Sequence, residues 1–306
     1  MAITVTVRRL GPLAVFLLLA SVLRAAAADP PDVTYRTHAN EVRLTFSVTD
    51  QNNHGVATLQ PGDFAVVDTE FIVRNFQTFS HADSTKLEIA ILADGSQSIA
   101  PFFRQEVSDL VDLVAQTAGI PEKNLSIFSF AGSEPRLLCA GDCRTSHSAA
   151  RLAPPDSGGL TPLFDAILDA SDFLSQHADR DAQKILIVLS DGQDTVSRNS
   201  LKAAVDRALH AAVQIYAIDL NRSASSQGST VLYHLAATTG GRWFAGPKAT
   251  SRLMDVILED FKASYFVTYK LPSHHAGFHS LRVLPTHNSN LQFRSRSGYY
   301  FPDNIR

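Results

Sequence analysis

Ile185-Leu186-Ile187-Val188-Leu189, followed at once by Ser190-Asp191-Gly192-Gln193-Asp194, is the stretch on which the fold turns. Five apolar residues in a row lack the alternation of a half-exposed strand. They suit a strand covered on both faces, as in a parallel sheet. The polar residues that end the run carry two carboxylates and a hydroxyl. Leu201, Ala204, Val205, Ala208, Leu209 and Ala212 then fall on a helical stripe, and Val213 to Ile218 is the next strand.

The same alternation extends in both directions. Upstream, Leu87 to Ala93 is mostly apolar and runs into Asp94-Gly95-Ser96-Gln97-Ser98. Phe103, Val107, Leu110, Val111 and Val114 then sit at helical spacing, and Leu125 to Phe130 is strand-like. Leu163, Ile167, Ala170 and Leu174 mark another helix. Downstream, Arg242 to Ala245 is a short strand and Ser251 to about Ala263 a helix. Strands alternating with helices predict an α/β domain over about Ser84 to Ser264, doubly wound, with a mainly parallel sheet and helices on both faces.

The flanks read differently. From Asp29 to Asp83 the pattern is of strands: Val42, Leu44, Phe46 and Val48 alternate with Arg43, Thr45 and Ser47. Asp50 to Gly55 and Pro61-Gly62-Asp63 are turns, and Phe64 to Val67 and Phe71 to Phe79 are further strands. From Tyr265 to Arg306, Tyr265 to Leu271, His279 to Leu284 and Leu291 to Tyr300 are strands. Pairing between the two flanks would make the α/β domain an insertion in a small β-sandwich.

Residues 1–28 stand apart. Arg8 and Arg9 precede an apolar run, Leu10 to Leu23, and small residues close the segment at Ala25 to Ala28. This is the pattern of a secretory signal peptide cut after Ala28, and 14 apolar residues are few for a membrane span. The expected address is periplasmic or extracellular. Removing Arg8, Arg9 and Arg24 leaves 24 basic against 30 acidic residues, a net of −6. Past Ala28 there is no apolar run of transmembrane length. No basic stripe or acidic tail favours nucleic acid or a membrane surface as partner. The two cysteines, Cys139 and Cys143, would close a very small ring. An exported chain permits a disulfide there; free thiols, or a zinc pair short of two further ligands, are the alternatives.

The chemistry concentrates in three loops. Asp94, Ser96 and Ser98 place three oxygen side chains in one loop after the first strand; Thr161 lies in Ser157-Gly158-Gly159-Leu160-Thr161-Pro162-Leu163, just ahead of a helix; Asp191 follows the apolar run. Open α/β sheets bind ligands outside the carboxyl ends of their strands, where all three loops can meet. Two carboxylates and three hydroxyls are hard oxygen donors, suited to Mg²⁺ or Mn²⁺ and ill suited to a soft metal.

The series Asp-x-Ser-x-Ser, Gly-Gly-x-Thr-Pro-Leu and Ser-Asp-Gly-x-Asp resembles the metal-ion-dependent adhesion site of von Willebrand factor A domains. Gly62-Asp63-Phe64 and Arg296-Ser297-Gly298-Tyr299-Tyr300 are similar to segments of exported bacterial proteins related to that family. The resemblance implies that Asp94, Ser96, Ser98, Thr161 and Asp191 hold one divalent ion. It also implies that a protein partner completes the coordination with an Asp or Glu carboxylate. Gln97 stands where a glycine is common in the bacterial group, which removes no ligand. Asp194 is either an acid behind the ligands or a cap for the following turn.

Rival readings are a structural exported module in which metal only stabilises the fold, and a hydrolase. Ser98 and Thr161 could serve only as helix caps. No Gly-x-Ser-x-Gly elbow is present, and an enzyme is not expected. His274, His275 and His279 are read as a solvated hairpin turn rather than a second metal site. Asn124 and Asn221 head formal glycosylation sequons. Trp243 and Tyr299-Tyr300-Phe301 are read as core or inter-domain packing.

Overall fold

The computed structural model describes residues 41–82, 86–96, 121–132, 134–143, 160–179, 181–221, 226–246 and 250–301. Ser98, the Gly158-Gly159 pair, the helix expected around Phe103 to Val114 and the expected signal peptide lie outside these residues.

The central sheet is built from β5 (Leu87–Asp94), β6 (Leu125–Ala131), β7 (Glu134–Ala140), β8 (Gln183–Ser190), β9 (Val213–Asp219) and β10 (Trp243–Ala245). Its order is β10-β9-β8-β5-β6-β7, parallel throughout except for the antiparallel edge strand β7. Apolar runs form these strands because both faces are covered. Helices α1 (Leu163–His177), α2 (Leu201–His210) and α3 (Gln227–Thr239) share one core with Ala90, Leu92, Leu186, Val188, Ile215 and Ala217. On the other face Ile257 and Phe261 of α4 (Thr250–Lys262) pack with Ile89, Ile91, Ile187 and Ile218. The expected mainly parallel α/β sheet with helices on both faces is what forms.

Two elements have no counterpart in the sequence reading. Strand β7 begins Glu134-Pro135-Arg136, and its apolar residues are confined to the short run Leu137 to Ala140, of which only Cys139 is buried; among the described residues it pairs only with β6. Within it Cys139 bonds Cys143 in a disulfide with Cα atoms 5.3 Å apart. Helix α3 buries Gly228, Ser229 and Thr239 beside Leu232, Leu235 and Ala236, so small and hydroxyl-bearing residues blur its stripe. It is capped by Ser226 Oγ, which accepts from Ser229 N at 3.0 Å, and ends at Gly240 with φ +82°.

The flanking strands form two antiparallel sheets that share a core. They comprise β1 (Glu41–Thr49), β2 (Phe64–Asp68), β3 (Phe71–Val73), β4 (Thr78–His81), β11 (Ser264–Lys270), β12 (Gly277–Pro285), β13 (Gln292–Ser295) and β14 (Gly298–Phe301). The orders are β13-β1-β11-β4 and β14-β12-β2-β3, so strands from the two ends of the chain do pair. Phe46 and Phe64 meet across the core with ring centroids 4.9 Å apart, and Phe64 stacks on Phe76 at 4.9 Å.

Two expected long strands are broken. Phe71 to Phe79 divides into β3 and β4, and Leu291 to Tyr300 into β13 and β14; in each case the halves join opposite sheets. A chain that turns the corner of a sandwich keeps its apolar residues on the core while changing sheets, and composition does not mark the corner.

The sandwich is fixed to the α/β domain at several points. Ser297 N donates to Thr238 O at 2.8 Å at the end of α3. Tyr300 donates to Asp206 at 2.6 Å and stacks on His210 of α2, which is the inter-domain packing expected of the C-terminal aromatics. Asp260 of α4 accepts from Arg242 Nη2 at 2.6 Å and Nε at 3.0 Å and from Tyr216 Oη at 3.1 Å. Arg294 of β13 also ion-pairs with Asp260, without the alignment of a hydrogen bond.

The histidine reading needs correction. His274 and His275 are exposed, but His279 is a buried residue of β12. Its Nδ1 lies 3.4 Å from Asp68 and 3.2 Å from Tyr299 Oη, and its Nε2 lies 2.7 Å from His275 O. The neighbouring turn residues hid a β12 position that alternates into the core.

Candidate metal centre

The site is assembled where β5 and β8 end. Neighbouring parallel strands bring Asp94 beside Ser190, whose hydroxyl donates to Asp94 Oδ2 at 2.7 Å. Asp94 Oδ1 accepts from Ser96 N at 2.9 Å, which curls the loop back over the strand end. Asp94 is fully buried. Burial pushes its carboxyl up to about 6, the hydrogen bonds from Ser190 and Ser96 oppose the shift, and the nearby charge of Asp191 adds to it. A cation beside Asp94 would favour the ionised form and reverse the cost of burying it.

Asp191 is held by its own loop. Its Oδ1 accepts from Gln193 N at 3.0 Å, and Ser190 Oγ accepts from Gly192 N at 2.9 Å. Gly192 has φ +75°, and a Cβ there would lie 2.2 Å from Gly228 O. A Cβ on Gly228 would in turn lie 1.9 Å from Asp191 O. Helix α3 therefore starts in direct backbone contact with the Asp191 loop, and neither position admits a side chain. Asn221 closes the arrangement: its Nδ2 donates to Asp191 O and to Asp219 Oδ1, each at 2.7 Å.

Thr161 is tied to the same loop. Its N donates to Thr195 Oγ1 at 2.8 Å, and its carbonyl accepts from Thr195 N at 2.9 Å. It is buried but is not the cap of α1. The N-cap position is Pro162, which makes no side-chain cap bond. Phe164 N donates instead to Asp194 Oδ1 at 3.2 Å and Ser197 Oγ at 3.1 Å. Ser197 Oγ donates to Asp194 Oδ1 at 2.5 Å. Asp194 thus caps α1, the helix that follows Thr161, and also holds Ser197 in the turn after its own loop. The capping account of Thr161 loses its basis.

Asp94, Ser96, Asp191 and Thr161 are thereby drawn to one edge of the sheet, while Ser98 lies outside the described residues. Among the described residues no group of three or more His, Cys, Asp or Glu side chains is placed to hold a metal ion. The set gathered here has two carboxylates with hydroxyls, so a cation must rely on neutral oxygens and water, as small hard cations do. That donor set fits a divalent cation.

Sequence reasoning passed over Ser190, Thr195, Ser197 and Asn221, which position the candidate ligands. For Ser190 a signal existed: it is the first polar residue after the apolar run, just as Asp94 is after Leu87 to Ala93. The two sequon asparagines are engaged by the fold. Asn124 is buried with Nδ2 donating to Leu87 O at 3.0 Å, and Asn221 has the contacts given above.

An open α/β sheet with an oxygen-lined centre at its carboxyl edge defines a class of metal-site domains. The model of the von Willebrand factor type A domain matches residues 88–257, more than half of the chain, and the chain belongs to that family. Among solved structures, the chain is similar to proximal thread matrix protein 1 from the mussel byssus. The identity is 17% over 63% of this chain and 51% of that one, with a TM-score of 0.46. A form of the mussel protein with a zinc-occupied MIDAS motif matches at 18% identity over 57% of this chain and 47% of that one, TM-score 0.43. The chain thus spans about half the length of the mussel protein. An aerotolerance-related membrane protein from Bacteroides fragilis matches at 14% identity over 57% of this chain and 98% of that one, TM-score 0.44. No curated protein sequence matches the chain. Among the described residues no helix is long and apolar enough to cross a membrane.

Proposed function

We propose that this chain is an exported, non-enzymatic binding module. It holds one Mg²⁺ or Mn²⁺ through Asp94, Ser96, Ser98, Thr161 and Asp191 and offers the ion to an Asp or Glu carboxylate of a protein partner. The observation that carries the reading is Asp94, a fully buried carboxylate facing the charge of Asp191, whose loop holds Thr161 through Thr195 without Thr161 capping its helix. Such a pair is unfavourable alone and favourable around a cation. The ion supplies an electrophilic centre; the hydroxyl-rich set neutralises little of its charge, so an anionic oxygen from outside gains most. The chain's own task is to hold the donors still, through Ser190, Thr195 and Asn221.

Calorimetry on chelated protein should find one Mg²⁺ site, lost in Asp191→Ala. A hundredfold excess of Mg²⁺ over its dissociation constant should stabilise the fold by about 2.7 kcal/mol. Thr161→Ala keeps both carboxylates, so it should retain weakened metal binding and a native circular dichroism spectrum while losing the partner. Partner capture that survives excess chelator, or an unchanged metal stoichiometry in Asp191→Ala, would refute the reading.

Export rests on residues 1–28. The secreted or periplasmic product should begin at Asp29 by N-terminal sequencing. A product found in the cytoplasm with Met1 retained would remove this part of the proposal.

A further inference from the structure

Three neighbouring strands of the sheet, β5, β8 and β9, each end in a polar residue, and the register sets these side by side. Ser190 is level with Asp219 across the β8–β9 pair, and Ser190 Oγ bonds Asp94 on its other side. Residues level with one another in parallel strands point to the same face. Here that is the face covered by α1, α2 and α3, since Leu92, Val188 and Ala217, two positions earlier, lie in that core.

Asp219 is 1% exposed. Its Oδ1 accepts from Asn221 N at 2.9 Å and Asn221 Nδ2 at 2.7 Å. Its Oδ2 is buried with no hydrogen-bond partner among the described residues. A buried carboxylate oxygen without a donor is costly, and a positive charge close by is the usual compensation. Two strand spacings put Asp219 about 10 Å from Asp94, too far for both to ligate one ion directly. The same amide that binds Asp219 Oδ1 also holds the Asp191 carbonyl.

We propose that Asp219 is an outer acid of the cation site, which strengthens cation binding by its charge and orients the Asp191 loop through Asn221, without ligating the ion. The inference rests on the cation-binding reading above. It makes the centre more acidic than its two direct carboxylates imply. It also explains why a buried aspartate with an unmatched oxygen stands beside Ser190.

Asp219→Asn tests this directly. The amide oxygen can keep both bonds from Asn221, while the charge is lost. In the full chain, Mg²⁺ and Mn²⁺ affinity measured by calorimetry should fall by about 10- to 100-fold, the range found for groups behind the ligands of metal sites. The melting temperature in excess chelator should be unchanged or higher, because an uncompensated buried charge is removed. Asn221→Ala, which keeps the charge and cuts the link to Asp191, should also weaken binding. Affinities within twofold of wild type in both variants overturn the proposal. A melting temperature of Asp219→Asn that falls equally with and without metal overturns it too, since the aspartate would then be structural. A wild-type chain that binds neither ion overturns the cation-binding reading itself, and the inference with it.

Discussion

Deletion of Tyr265–Arg306 should abolish the sandwich and drive the remaining chain into aggregates. Half of the buried side chains of the sandwich core, among them Tyr265, Val267, Tyr269, Leu281 and Tyr299, belong to the deleted segment. Each large apolar side chain returned to water forfeits about 1.5–3 kcal/mol. Their sum reaches on the order of 10 kcal/mol, comparable to the whole stability of an ordinary domain. The loss is also topological. Strand β1 would lose both of its neighbours, β11 and β13, exposing its backbone edges together with Val42, Leu44 and Phe46. By contrast, a fragment spanning 84–264 keeps all six strands of the central sheet and should stay soluble with native α/β circular dichroism. Light scattering on the two truncations makes the comparison. A monomeric, soluble chain ending at Ser264 would show that the N-terminal strands hold together without their partners.

Asp260→Ala should be the most damaging single substitution away from the metal edge. The carboxylate is 3% exposed and serves Arg242, Arg294 and Tyr216 together. Its removal leaves two guanidinium groups, each about a quarter exposed, facing one another without a counter-charge. Breaking a buried ion pair from one side costs about 3–5 kcal/mol, mainly through the charge left behind. These residues come from β9, the entry to β10, α4 and β13, so the same loss loosens the sandwich from the α/β domain. Urea unfolding should show the extrapolated unfolding free energy falling by that amount, with a lower midpoint, while Mg²⁺ affinity under native conditions is retained. A change below about 1 kcal/mol would show that the arginines find water instead.

How much of this could be read in the sequence follows from what each element must bury. Runs covered on both faces, such as Ile185 to Leu189, need uninterrupted apolar residues and were visible at once. The edge strand β7 buries only Cys139, and its short apolar run, Leu137 to Ala140, does not by itself mark a strand. Helix α3 lies so close to the Asp191 loop that Gly228 replaces a side chain at the contact, and the residue that permits the contact also dilutes the helical pattern. At the metal edge the expected ligands stood out because acids and hydroxyls interrupt apolar strands. Ser190 carries that same mark, whereas Thr195 and Asn221 do not, because their contacts with Thr161 and with the Asp191 carbonyl join separate loops and are not written in local spacing.

Strand β1 and its partner β11 stand more than two hundred residues apart, since Glu41 lies opposite Lys270. Contacts between such distant segments are normally slow to form, because loop closure must precede any gain from pairing. Here the intervening domain begins and ends at neighbouring points: His81 of β4 lies opposite Tyr265 of β11. Once the α/β domain has folded, it acts as a clasp that holds these two points together. The search left to the sandwich strands is then that of a short loop, and the long separation in sequence ceases to be a long separation in space.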